Sequence, residues 1–132
     1  MIKKIEKNNL LLGIVMQSSF RLKEGIEFIT DENSEFQLGY MHRSRNYEVR
    51  PHFHIQKLRQ ISQTSEVLIV KTGSICVSFF DCGGDFVSSE ELSDGDICMF
   101  VAGGHGVKFL EDSDLIEIKQ GPHLPGHDKK FI

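Results

Sequence analysis

The chain has 132 residues, of which 26% are charged and 39% hydrophobic, and its formal net charge is −4. This length suits one domain with a single core, and the composition is too apolar for intrinsic disorder. Net acidity disfavours nucleic acid as a partner, because phosphate binding needs a basic face.

Met1–Lys7 is basic, and the apolar run behind it, Leu10–Met16, is short and ends without a cleavage-like site. No run approaches the ~20 apolar residues of a membrane helix. The expected location is the cytoplasm, with no membrane partner. Short apolar stretches then succeed one another: Gly25–Ile29, Phe36–Met41, Glu66–Lys71, Ser74–Phe80, Phe86–Leu92, Asp96–Val101, Val107–Leu110 and Leu115–Lys119. Each has the length of a strand, and many are rich in Ile, Val and Phe. Asp81-Cys82-Gly83-Gly84-Asp85 and Ser93-Asp94-Gly95-Asp96 read as turns between them. Only Met1–Asn9 and His54–Ser65 have room for a turn or two of helix. Regularly spaced short strands predict an all-β sandwich or barrel. The three cysteines, Cys76, Cys82 and Cys98, form no Cys-x-x-Cys pair and read as reduced thiols, small buried residues in strands.

The residues that carry chemistry begin at Pro51-His52-Phe53-His54. On an extended strand, His52 and His54 point to one face, and two parallel imidazoles make half of a metal site. Glu66 opens an apolar strand, and by parity it shares a face with Leu68 and Val70. If that face is the core, the carboxylate needs a partner or a metal ion. His105 stands among Gly103, Gly104 and Gly106, which permit unusual backbone angles and close approach. By parity it shares a face with Val107 and Phe109. Taken singly, each residue also reads as an ordinary solvated one. Together, three imidazoles and one carboxylate on facing strands can enclose one divalent ion with positions left open. Zn, Ni, Mn, Fe and Cu all suit such a donor set.

These segments resemble the two motifs of the cupin superfamily. His52-x-His54 followed by Glu66, with six residues between Glu66 and Gly73, is similar to the first motif. Gly95 followed by Val101-Ala102-Gly103-Gly104-His105 is similar to the second. The interval from His54 to Glu66, Ile55–Ser65, is longer than in the family and reads as a loop. Val101 stands at the family's proline and Phe109 at its later asparagine. The resemblance implies an all-β fold, a single cupin-type double-stranded β-helix (jelly-roll) barrel over residues 1–132 with its core at about 36–120. It is also similar to small single-barrel cupins associated with surface-sugar pathways. The implied metal ligands are His52, His54, Glu66 and His105.

The resemblance further implies a metal-dependent enzyme, an isomerase or epimerase acting on a small polyhydroxy or keto substrate such as a sugar. A non-catalytic ligand-binding or sensor module and an Fe-dependent dioxygenase are the alternatives. Glu66, or Glu117 if it faces inward, would move a proton. In Leu115-Ile116-Glu117-Ile118-Lys119, Glu117 and Lys119 share one face and Ile116 and Ile118 the other. Either face can be the solvated one. Arg43, Arg45, Tyr47 and Arg50 lie ahead of the histidine pair and read as loop residues, with Arg50 also able to clamp a carboxylate or phosphate. His42, His123 and His127 have no partner at metal spacing. The tail Gly121-Pro122-His123 is long enough to fold over a barrel mouth. The apolar strand Leu10–Val15 predicts a homodimer if it offers a free edge, and a strand within its own sheet if it does not. Serine-hydrolase, phosphate-loop and dinucleotide motifs do not occur.

Overall fold

A computed structural model describes all 132 residues, and its regular structure consists of strands, with no helix. Ten strands follow in order: β1 Ile2–Lys7, β2 Leu10–Met16, β3 Gly25–Phe28, β4 Gly39–His42, β5 Glu66–Thr72, β6 Ser74–Phe80, β7 Phe86–Ser93, β8 Ile97–Phe100, β9 Gly104–Phe109 and β10 Asp114–Lys119. The chain forms two compact units, Met1–Phe20 with Gln63–Ile132, and Arg21–Ser62. No helix is long and apolar enough to cross a membrane.

The smaller unit holds the antiparallel pair β3–β4, in register from Gly25 opposite His42 to Phe28 opposite Gly39. A hydrogen bond of 2.7 Å from Thr30 Oγ1 to Gln37 Oε1 braces the loop between these strands. Residues 43–62 contain no helix or strand. The histidine pair is therefore not carried on a strand, and the helical turn expected after His54 does not form. Pro51 lacks an N–H for a ladder, and behind it the period of two from Phe53 to Ile55 is broken at Leu58 and Ile61, with all four side chains exposed.

The larger unit has two antiparallel sheets, one in the order β1-β2-β8-β5-β10 and one in the order β7-β6-β9. Strands β1, β10, β7 and β9 are left as edges, so the ladders do not close into a barrel. The Met1–Asn9 segment is a strand because Asn8 and Asn9 both take positive φ, 52° and 62°, and Lys7 pairs with Leu10 across them. Two such residues make the two-residue turn that matches the twist of a hairpin. Strand β2 pairs with β1 on one side and β8 on the other, so Leu10–Met16 offers no free edge to a second subunit.

The two sheets meet in one core of Ile5, Leu12, Leu68, Val70, Ile75, Val77, Phe79, Leu92 and Phe100 with their neighbours. Phe79 is wholly buried, and its ring lies 5.5 Å from that of Phe100. Gly13 makes this approach possible, since a β-carbon there would overlap the edge of the Phe79 ring and lie 2.8 Å from the Met99 carbonyl oxygen. At one side of the sandwich, Lys3 of β1 forms an ion pair with Glu90 of β7 and so links the two sheets. Gly13→Val should lower stability by about 2 kcal/mol, the usual cost of overpacking a close-packed core. Urea unfolding followed by circular dichroism checks this; an unchanged midpoint would show that Phe79 can move aside.

Candidate functional site

The opposite side of the sandwich, between β9 and β10, is polar. Glu66 is the first residue of β5 and sits directly opposite Phe100 in β8 and Lys119 in β10. It shares the inner face with Leu68 and Val70, as parity predicts, and both of these lie in the core. His105 sits opposite Phe79 in the β6–β9 ladder, which aims it inward as well. Its ring stacks on Phe100 at 3.8 Å with an interplanar angle of 9°. This stack fixes the plane of the imidazole and brings Nε2 to 3.7 Å from Glu66 Oε2. That separation is too long for a hydrogen bond. The side chains keep 33% exposure at His105 and 13% at Glu66, so the pair lies at the edge of the core and still meets solvent.

Glu117 faces inward too. It lies opposite Leu68, and Leu115 on the same face packs against the core, whereas Ile116 and Ile118 are exposed on the outer face. Lys119 Nζ lies 3.6 Å from Glu117 and 3.5 Å from Asp128, which belongs to the tail. The tail thus returns to this side of the sandwich by Asp128 rather than by His123, which is exposed.

Burial sets the charges here. It raises the Glu66 carboxyl above its ordinary range, and Glu117 adds to this while Lys119 and Lys129 oppose it. It lowers the His105 imidazole, as does Lys129, with Glu117 opposing. The contact between them is therefore a neutral imidazole beside a carboxyl group and not an ion pair at neutral pH. Desolvation works against the Lys119 ammonium, but Glu117 and Asp128 outweigh it and keep the group charged. Burial, followed by Glu66 and Glu90, pushes the Cys98 thiol up, so it is an inert core residue.

The four expected metal ligands fall into two pairs. Glu66 and His105 form one. His52 and His54 form the other, both exposed, with ring centroids 5.2 Å apart and edges facing. The Nδ1 of His52 donates to the Arg50 carbonyl at 2.8 Å, which leaves Nε2 as the free lone pair. The structure brings no three His, Cys, Asp or Glu side chains together as a metal-binding group. The Glu66–His105 pair by itself fits two positions on one ion. Donors about 2.0–2.1 Å from a tetrahedral zinc stand roughly 3.3 Å apart, close to the separation seen here. Arg43 is engaged by Glu24 at 3.6 Å and by the Tyr47 ring at 4.4 Å.

Sequence reading missed Phe100, Asp128 and Lys129. Phe100 is identifiable only from the ladder that sets it beside Glu66, and no local pattern marks Asp128 or Lys129. Comparison of the chain with family models, with curated proteins and with solved structures gave no match.

The raised Glu66 carboxyl gives a pH prediction with a definite sign. A carboxyl whose folded-state value lies above its unfolded value costs stability once both states are ionised, and costs nothing below the unfolded value. In chelator-treated protein, Glu66→Gln should therefore melt higher than wild type at pH 7–8. The difference should shrink as pH falls through the raised range and vanish below about pH 4. Thermal unfolding across this pH series checks it; a variant less stable than wild type at pH 8 would show that the ionised carboxylate is stabilising.

Proposed function

We propose that the polar side of the sandwich is the site of a small cupin-like, metal-dependent enzyme acting on a polyhydroxy or keto compound such as a sugar. The single observation that carries this reading is the meeting of Glu66 and His105. They come from the two separate motif segments and lie on opposite sheets. The ladders bring them to 3.7 Å on the inner face, half-buried, in a donor pair that suits a divalent ion.

Strand order supports the finer reading of the fold. Strands β10-β5-β8 face β9-β6-β7, and the chain crosses between the sheets at every step from β5 to β10 except from β6 to β7. This alternation is compatible with the winding of a double-sheet jelly roll, which is the finer reading proposed. The edge of β9, the strand that bears His105, is free to take a further strand. The cupin resemblance assigns the remaining ligands to His52, whose Nδ1 is engaged by the Arg50 carbonyl, and His54.

A bound divalent ion would supply Lewis-acid polarisation of a substrate oxygen. Phe100 holds the His105 ring in plane. Glu117 is the group placed to accept and return a substrate proton, since it faces inward and keeps access to solvent. Lys119 Nζ, 3.6 Å away, is the cation beside that carboxylate. Glu66, if it binds the ion, is not available for proton transfer, so the two glutamates divide the work.

Elemental mass spectrometry on tag-free protein tests this. Wild type should hold about one divalent ion per chain, and His105→Ala or Glu66→Ala should weaken retention by more than roughly tenfold, the lower range of loss seen even for outer-shell changes. His54→Ala should do the same if the motif assignment is right. Protein that takes up none of Zn, Ni, Mn or Fe after reloading would sink the reading. Glu117→Gln should keep the ion and lose turnover.

A further inference from the structure

The segment Ile55–Arg59 has features that the proposed site does not use. Leu58 is fully exposed and Ile55 is 81% exposed, although both are large apolar side chains. Lys57 and Arg59 flank them and form no ion pair. No acidic residue occurs between Arg50 and Ser65, so this stretch carries a charge of +3 from Arg50, Lys57 and Arg59 in a chain whose net charge is −4. Ile55 and Leu58 together with Phe53, all more than 80% exposed, make an apolar surface that association would cover.

The complementary surface is on the same chain type. The turn between β9 and β10 and the end of β5 line a groove of about 420 Å³. Its apolar wall is Phe109, itself 55% exposed, with Leu110 beside it at 43%. Glu111, Asp112 and Asp114 rim it, and none of these carboxylates is in an ion pair. Asp114 accepts only a long hydrogen bond, 3.4 Å, from Thr72. The groove matches the segment in both respects, with acidic groups for Lys57 and Arg59 and an aromatic wall for Leu58.

We propose that Ile55–Arg59 of one copy docks in the Phe109–Asp114 groove of a second copy, forming a reciprocal homodimer. In a two-fold dimer each chain gives one segment and one groove, so the contact is made twice and closes on itself. Leu58 fills the groove against Phe109, and Lys57 and Arg59 meet the acidic rim. Glu66, His105 and Glu117 take no part in it; His54 adjoins the docking segment, but none of the four reversed positions is a proposed metal ligand, so metal content and self-association are read out separately.

Sedimentation velocity between roughly 1 and 100 µM, the range of modest interfaces, tests this. Wild type should dimerise, and more weakly at high salt. Lys57→Glu with Arg59→Glu should weaken self-association at least roughly tenfold, and so should Glu111→Lys with Asp112→Lys, because each sets like charges together. All four positions are exposed, and circular dichroism verifies that the variants fold. Mixing the two variants is the decisive step. The reversed segment then meets the reversed groove, and the native segment meets the native groove, so a mixed dimer should form that neither variant forms alone. A monomeric wild type at 100 µM, a wild-type dimer indifferent to both reversals, or variants that stay apart on mixing would each overturn the proposal. Wild-type protein that fails to self-associate but binds vesicles of mixed phosphatidylcholine and phosphatidylserine through Lys57 and Arg59 would overturn it in favour of a membrane surface.

Discussion

The larger unit is organised round the contact between Phe79 and the opposite sheet. A single ring, wholly buried, reaches from β6 to the backbone of β2, and it can do so only because Gly13 presents no side chain. The same ring packs against Phe100, and Phe100 in turn carries the stacked imidazole of His105. Sheet spacing, aromatic packing and the orientation of the candidate site are thus one mechanical series. Close-packed interiors transmit small displacements. A change at Gly13, remote from the polar side in sequence, therefore acts on the plane of the His105 ring.

The two sides of the sandwich are finished differently. On the side of β1 and β7, Lys3 and Glu90 pair across the gap. On the side of β9 and β10 the charges are more numerous and poorly matched. Glu66, Glu117 and Asp128 stand near Lys119 and Lys129, three carboxylates to two ammonium groups, with an imidazole that burial holds neutral. Removing a carboxylate from water costs several kcal/mol unless a cation or hydrogen bonds compensate, and Glu66 makes no close contact that would do so. The surplus of carboxylate on this side is what a bound cation would balance.

Much of this was legible from residues. Parity groups Glu66 with Leu68 and Val70, and His105 with Val107 and Phe109, but which face is inner comes from the sheets, and Phe109 at the end of β9 is 55% exposed. The motif spacings also have a physical reading. Glu66 to Gly73 is the length of β5 plus the turn that ends it, where Gly73 takes a φ of 100° and a β-carbon would collide with Ser113. Gly95 to His105 spans a turn, the short strand β8, and a second turn at Gly103 with φ 70°. What stayed hidden depends on pairing between distant strands. Nothing near Phe100 announces that it lies between Glu66 and His105. The inward face of β10 was ambiguous because Leu115-Ile116-Glu117-Ile118-Lys119 alternates equally well either way, and only the ladder with β5 decides it. Met1–Asn9 reads as room for a turn of helix, whereas the positive φ of Asn8 and Asn9 folds it back as an edge strand against β2.

The absence of a barrel ladder follows from the same series. The edge of β9 stays open where a further strand would pair, and the segment bearing His52 and His54 contains no strand. A strand forms where an apolar face can be buried every second residue, and Phe53, at 98% exposure, with Ile55 and Leu58 finds no such face. Regular structure in 50–62 therefore depends on what those side chains meet. An edge strand next to a half-buried imidazole and a set of exposed apolar side chains are both costly in isolation, one through unpaired backbone groups and the other through exposed hydrocarbon. Each cost is relieved by association. On the readings proposed above, a metal ion would give the Glu66 carboxylate the partner it lacks, and a second copy would cover Leu58.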